Sequence, residues 1–217
     1  FVPIIGEKVD AHRFLPQVAE NGAGAVLTSE QNAKTEEMEK TSCAWIAVDD
    51  TKKALQAVGR YLRKRLTLPI VGVTGSVGKT STKETIAAVL SQKYKVLKTQ
   101  GNFNNEIGLP LTIFRLTEED EIAVLEMGIS DFGEMTRLTK IAQPDICVIT
   151  NIGLCHLENL KSRDGILKAK TEIFKSMNPD GTVILNGDDD KLFTISEVYG
   201  KKPVFFGIKN TAGIYAD

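Results

Sequence analysis

Three glycines, a lysine and a run of hydroxyl side chains stand together in Gly72-Val73-Thr74-Gly75-Ser76-Val77-Gly78-Lys79-Thr80-Ser81-Thr82. The residues before this run, Pro69 to Val73, read as a short apolar strand, and those after it read as a helix from about Lys79 to Leu90. A strand, a glycine-rich turn and a helix N-terminus form a cradle for an anion. Backbone N–H groups converge there, and the helix dipole adds partial positive charge. Lys79 is placed to reach the β- and γ-phosphates of a nucleoside triphosphate, and the Thr80 hydroxyl to hold Mg²⁺. The spacing departs from the usual phosphate-loop pattern, which has glycine where this chain has Val73; what stands here is T-G-x-x-G-K-T, Thr74 to Thr80. The alternative is a turn that only connects strand to helix.

Further polar groups fall where predicted strands end. Glu126 closes Ile122–Leu125, and a carboxylate beside a phosphate loop suits a hard cation such as Mg²⁺; a capping or ion-paired glutamate is the plainer reading. Thr150-Asn151-Ile152-Gly153 closes another strand, with His156 just beyond it. Asn102, Asn104 and Asn105 lie in the run Gly101–Gly108. Their amides could bind a polar substrate or serve turn geometry. Lys170 and Phe174 share a helix face, which would leave Lys170 half-buried; on its residues alone the plainer reading, a surface lysine, is preferred. Asn186 could read an adenine edge, or it could open an N-capping cluster with Asp188, Asp189 and Asp190.

The elements that position these groups alternate. Strands are expected at Ile70–Thr74, Lys95–Lys98, Ile122–Glu126, Ile146–Thr150, Thr182–Leu185 and Pro203–Phe206, with helices starting near Lys79, Leu109, Phe132, Ile166 and Asp189. This is the pattern of an α/β fold with a mostly parallel sheet, whose chemistry gathers at the carboxyl ends of the strands. A smaller α/β unit precedes it. Its expected elements are a strand at Phe1–Ile5, a helix at Ala11–Glu20 capped by Asp10 and ended by Gly22, strands at Ala25–Thr28 and Trp45–Val48, and a polar loop at Ser29–Thr41. A helix capped by Asp50 or Thr51 follows, running to about Arg65 with Leu55, Val58 and Leu62 on one face. The basic run Arg60–Arg65 reads as the solvated side of that helix. Thr67-Leu68-Pro69 is the expected linker, dividing the chain into residues 1–67 and 68–217.

Composition sets bounds. The 217 residues are 42% hydrophobic and 25% charged, with a net charge of −1. That balance suits a globular domain and argues against a broad nucleic-acid-binding face. No apolar run approaches the roughly 20 residues of a membrane span. Three cysteines without C-x-x-C spacing fit a reducing cytosol, with Cys43 and Cys147 in the core. With only His12 and His156 a zinc site is not expected. The chain starts at Phe1, without an initiator methionine or a signal peptide, as a piece of a longer protein would.

Taken in order, these segments resemble the Mur ligase family of ATP-dependent amide-forming enzymes. The segments are Thr74–Thr80, Thr99–Pro110, Glu126-Met127-Gly128, Thr150–Gly153 with His156, Ala169-Lys170 with Glu172-Ile173, and Asn186 with Asp188. The Gly101–Pro110 run is closest to the branch that joins D-Ala-D-Ala to UDP-MurNAc-tripeptide. The resemblance implies an incomplete P-loop-type ATPase domain behind a partial UDP-sugar-binding domain, with the family's C-terminal domain absent. It implies ATP and Mg²⁺ as cofactors, and small-molecule substrates with no nucleic-acid partner. A cytoplasmic monomer is expected. It also implies roles. Thr74, Gly75, Ser76, Val77, Gly78, Lys79, Thr80, Ser81 and Asn186 would bind the nucleotide. Thr80 and Glu126 would hold one Mg²⁺, and His156 a second, with Lys170 carbamylated in its support. Lys79, Lys170 and His156 would be catalytic, and Asn102, Asn104 and Asn105 would face the muramoyl-peptide substrate.

Overall fold

The computed structural model describes residues 1–29, 42–209 and 213–215. Most of the polar segment read as a loop, residues 30–41, lies outside them. The chain divides into two compact units, Phe1–Val58 and Gly59–Asp217.

In the first unit, β1 (Ala25–Ser29) and β2 (Ala44–Val48) pair in parallel. Phe1–Ile5 is not a strand: Phe1 alone exchanges backbone hydrogen bonds with Ala25 and Leu27, and Ile5 forms one isolated bridge to Asp10. The helix expected over Ala11–Glu20 comes in two pieces, a 3-10 turn at Ala11–Phe14 and α1 at Leu15–Glu20. Pro16 sits in the first turn of α1. It has no N–H to donate back into the preceding turn, which separates the pieces. Asp10 caps the first piece as expected, accepting from the His12 N–H at 2.9 Å. Asp50 caps α2 (Thr51–Arg65) through the Lys53 N–H, also at 2.9 Å.

The second unit is built on a seven-stranded sheet in which every pairing is parallel. Its strands are β3 (Ile70–Thr74), β4 (Val96–Lys98), β5 (Ile122–Glu126), β6 (Ile146–Ile149), β7 (Thr182–Asn186), β8 (Val204–Gly207) and β9 (Ile214–Tyr215), in the order β4-β5-β3-β6-β7-β8-β9. Strands β3 and β5 are buried along their whole length, as continuous apolar runs in a two-sided parallel sheet should be. Alternate residues serve opposite faces. Val71, Val73, Val124 and Val148 pack with Ala87 of α3 (Lys79–Leu90). Ile70, Leu125, Cys147 and Ile149 join a larger core that includes residues of α4 (Gly108–Ile113) and α5 (Glu134–Ala142).

After β3 the chain goes to β4 at one edge, returns to β5 between β4 and β3, then crosses to β6 on the other side of β3. That reversal makes the carboxyl end of β3 a topological switch point, where open α/β sheets bind ligands.

Two more helices follow β6: α6 (Leu157–Leu160), which sequence reading did not anticipate, and α7 (Arg163–Thr171), starting three residues before the expected Ile166. The helix expected near Asp189 is instead a 3-10 turn at Leu192–Thr194. Asp189 still caps it, accepting from the Lys191 and Leu192 N–H groups at 3.0 Å each. The basic run Arg60–Arg65 is not wholly solvated, because Arg63 is buried. It donates to the carbonyls of Ala142, Leu66 and Gln143 and to Asp145.

Candidate functional site: the phosphate loop and its two clamps

The loop between β3 and α3 needs glycine at two positions. Gly75 has φ +150°, and a Cβ there would lie 1.9 Å from the Thr150 hydroxyl. Gly78 takes a left-handed φ of +78° as the N-cap of α3, a conformation a side chain would strain. The close approach at Gly75 lets Thr150 and Asn151, which follow β6, hold the loop from one side. The Asn151 carboxamide oxygen accepts from the N–H groups of Ser76 and Val77 at 3.2 and 3.0 Å. The Thr150 hydroxyl donates to the Val77 carbonyl at 2.7 Å. The Gly153 N–H donates to the Ser76 hydroxyl at 2.9 Å. The T-N-I-G run is therefore the loop's mould. Asp189 fixes it from behind by accepting from the Ile152 N–H at 2.8 Å, and Arg163 donates to the Ile152 carbonyl at 2.9 Å.

Two cations converge on the loop. Lys79 donates to the carbonyls of Gly75 and Ser76 at 3.0 and 3.3 Å, and Lys170 donates to the same Gly75 carbonyl at 3.0 Å. Among the described residues neither lysine forms an ion pair. The expectation of a surface position for Lys170 is overturned, since it is only 1% exposed. Burial pulls its pKa down from the ordinary 10.5 to about 8; the field of Cys155 opposes that shift and the charge of Lys79 adds to it. Two ammonium groups sharing one carbonyl, at a helix N-terminus and without a carboxylate, leave positive potential that an anion can satisfy.

The second clamp carries negative charge. Glu126 is 2% exposed. Its Oε2 accepts from the Thr80 hydroxyl at 2.9 Å and its Oε1 from the Asn104 carboxamide at 2.8 Å. The Thr99 hydroxyl accepts from the Glu126 N–H at 3.0 Å, fixing the strand end. Lys83 lies 3.9 Å from Glu126 Oε2. Thr80 and Glu126, expected to share a metal, are thus in contact, and a hydroxyl with a carboxylate is the all-oxygen donor set that Mg²⁺ takes.

The remaining sequence-derived residues divide. Thr74 ends β3 with a fully buried hydroxyl that has no hydrogen-bond partner among the described residues. Ser81 is exposed in the first turn of α3. Asn186 lies near the mould: its carboxamide donates to the Thr150 carbonyl at 3.0 Å and accepts from the Asp188 N–H at 2.9 Å. His156 is exposed at the left-handed N-cap of α6, φ 52°. Among the described residues no three of His, Cys, Asp and Glu cluster as a metal site. Asn102 is exposed. Asn105 turns to the backbone, its oxygen accepting from the Ile107 and Gly108 N–H groups at 3.1 and 2.8 Å where α4 begins.

Sequence reading missed three participants: Lys83, Arg163 and the Asn151 carboxamide as the loop's clamp. Only Lys83 carried a signal, lying four residues after Lys79 and hence on the same helix face. Asn151 acts on residues 75 and 74 positions away, and Arg163 reaches back 11 residues, beyond any one helix or turn.

A family model described as the Mur ligase middle domain matches residues 73–217. The UDP-N-acetylmuramoyl-tripeptide--D-alanyl-D-alanine ligase of Bacillus subtilis (strain 168) is 47% identical over 192 residues, covering 88% of this chain and 41% of that protein. The enzyme of the same name from Escherichia coli (strain K12) is 36% identical over 212 residues, covering 98% of this chain and 45% of its own length. Among solved structures, MurF from Acinetobacter baumannii superposes with a TM-score of 0.86 at 37% identity, covering 95% of this chain and 45% of that one. MurF ligase from Thermotoga maritima in complex with ADP gives a TM-score of 0.86 at 34% identity, covering 97% and 47%. The chain therefore spans a little under half the length of these relatives.

Proposed function

The chain belongs to the Mur ligase family, and on that premise we propose that it is the phosphate-handling part of an ATP-dependent ligase that joins D-Ala-D-Ala to UDP-MurNAc-tripeptide. The observation that carries this reading is the convergence of Lys79 and Lys170 on the Gly75 carbonyl, with no carboxylate partner among the described residues, set beside the Thr80–Glu126 contact. A triphosphate would draw Lys79 off the carbonyls of Gly75 and Ser76. The ammonium would then stabilise charge on the phosphoryl group as it passes to the substrate carboxylate. The D-Ala-D-Ala amine would attack the resulting acyl phosphate, forming the amide and releasing phosphate.

Thr80 and Glu126 would hold one Mg²⁺, which when bound neutralises charge on the phosphates. Gly78, where an added Cβ would meet nothing within 4 Å, leaves the approach to the start of α3 open to phosphate oxygens. Asn186, anchored to the Thr150 carbonyl, would face the adenine. A second metal at His156 would need Lys170 in its carbamylated form, because the unmodified ammonium is a cation and offers no ligand oxygen. Asn102 and Asn104 would face the muramoyl peptide, Asn104 while also holding Glu126. In this reading residues 1–67 serve the UDP-sugar and residues 68–217 the nucleotide, in a cytoplasmic monomer. No described helix is long and apolar enough to cross a membrane.

The test is phosphate release by the full-length protein carrying this chain, with Mg·ATP and UDP-MurNAc-tripeptide. Release that requires D-Ala-D-Ala and yields the pentapeptide product is the expected result. Release with another amine would move the protein to a sibling ligase, and no release with any amine would leave a nucleotide-binding module.

A further inference from the structure

Lys83 is the most deeply buried cation beside the metal-side carboxylate, and the phosphate chemistry above does not use it. It is 1% exposed and lies one helical turn after Lys79. Its ammonium donates to the Thr99 carbonyl at 2.7 Å and stands 3.0 Å from Glu84 and 3.9 Å from Glu126. Glu84 has a second cation, Lys98. Among the described residues Glu126 has none: its other partners are the neutral Thr80 hydroxyl and Asn104 carboxamide. A buried carboxylate without a counter-ion is costly, so although Glu84 lies nearer to Lys83, Glu126 is the carboxylate that depends on it.

We propose that Lys83 is a positioning residue that acts as the standing counter-ion of Glu126, holding its carboxylate against Thr80 while no metal is present and thereby making divalent-metal binding depend on nucleotide. This rests on the assignment of Thr80 and Glu126 to Mg²⁺. The physical reason is competition. A divalent cation arriving alone at Glu126 meets a fixed, desolvated positive charge 3.9 Å from Oε2, the oxygen that also accepts from Thr80, and like charges in a poorly solvated site repel strongly. A cation arriving with a nucleotide brings the phosphate charge that offsets this repulsion. Lys83 also ties α3 to the end of β4 through Thr99, whose hydroxyl receives the Glu126 N–H, so its position and that of Glu126 are fixed by the same residue.

The experiment uses Mn²⁺, which takes the same oxygen donors as Mg²⁺, titrated by electron paramagnetic resonance into the full-length protein with and without ADP. In the wild type Mn²⁺ binds weakly alone and tightly with ADP. Lys83→Met should strengthen binding of Mn²⁺ alone by about tenfold and shrink the ADP-dependent gain by the same factor, since coupling is reciprocal. Lys83→Arg should keep the wild-type pattern. Adding Glu126→Gln to Lys83→Met should abolish the gain and restore thermal stability lost in the single variant. If Lys83→Met folds poorly, a double variant more stable than the single one still supports the pairing, and one no more stable overturns it. Unchanged Mn²⁺ affinity in Lys83→Met, with ADP binding intact, overturns this inference alone. A wild type that binds neither ADP nor Mn²⁺ with ADP overturns the nucleotide reading beneath it.

Discussion

At the amino-terminal ends of β3 and β6, Arg63 places four hydrogen bonds within the chain, on the carbonyls of Ala142, Leu66 and Gln143 and on Asp145. Asp145 in turn accepts from the N–H of Ile70, the first residue of β3, at 2.9 Å. At the carboxyl ends of the same strands, Lys79 and Lys170 crowd one carbonyl and have no carboxylate among the described residues. Burial lowers the pKa of Arg63 while Asp145 raises it back. For Lys170 the chief effect is again burial, but the neighbouring cation adds to it. One end of the sheet has its charges balanced internally, whereas the other leaves a balance for a ligand to complete. Stability and function are therefore separable by position along the same two strands.

The strongest way to break this comparison is at Lys79. Lys79→Met should lower ATP turnover in the full-length protein by roughly 10²–10³-fold, as removal of a preorganised charge does. It should leave thermal stability unchanged or slightly raised, because one of two like charges on the Gly75 carbonyl is gone. A variant that unfolds early while retaining turnover would erase the distinction between the two ends.

Arg63→Met is the converse. It leaves Asp145 without its guanidinium and frees three backbone carbonyls, so denaturant unfolding should show a loss of about 3 kcal/mol. Nucleotide affinity of the surviving folded protein should not change. A fall in affinity without a fall in stability would mean that the two ends are coupled.

Lys170 sharpens the comparison through pH. Its folded pKa of about 8 lies below the ordinary 10.5, so between those values the unfolded chain keeps a proton that the folded chain has released. Stability then rises with pH across that window. Below pH 8 the buried charge is a penalty, and Lys170→Met should be more stable than the wild type by up to roughly 3 kcal/mol. The gap should close toward pH 10.5. Unfolding measured in carbon-dioxide-free buffer checks this, and a gap constant with pH would show that the ammonium does not titrate in that range. Repeating the series with bicarbonate reads carbamylation directly, as loss of the pH-dependent gap.

How much of this was legible beforehand follows the range of the interactions. Strands β3 and β5 announce themselves as apolar runs, and the phosphate loop as a glycine pattern, because the causes are local. The mostly parallel sheet follows from alternation alone. Arg63 and Lys170 were misread as solvated because their burial is decided by carbonyls 79 and 95 residues away in sequence respectively. The break at Pro16 was missed although its cause is local, since Pro16 lies within the span expected to be one helix. The 3-10 turn after Asp189 was not, because Asp189 also serves Ile152 across the sheet. Among the site residues, Thr80 and Glu126 were placed together by the family resemblance, and the structure puts them in contact. The mould formed by Thr150 and Asn151 could be located in the sequence but its role could not.

The smallest expected effect separates two adjacent asparagines. Asn104 reaches Glu126 at 2.8 Å, while Asn105 accepts from the N–H groups of Ile107 and Gly108. An asparagine in that position satisfies donors that α4 leaves free at its start, a service worth about 1 kcal/mol. Asn105→Ala should therefore lower unfolding stability by about 1 kcal/mol and leave UDP-MurNAc-tripeptide binding nearly unchanged. Calorimetric titration of that substrate, alongside denaturant unfolding, checks both halves. A large loss of substrate affinity with stability intact would return Asn105 to the substrate face. It would also show that the side-chain oxygen now bonded to the α4 backbone is recruited when the peptide arrives.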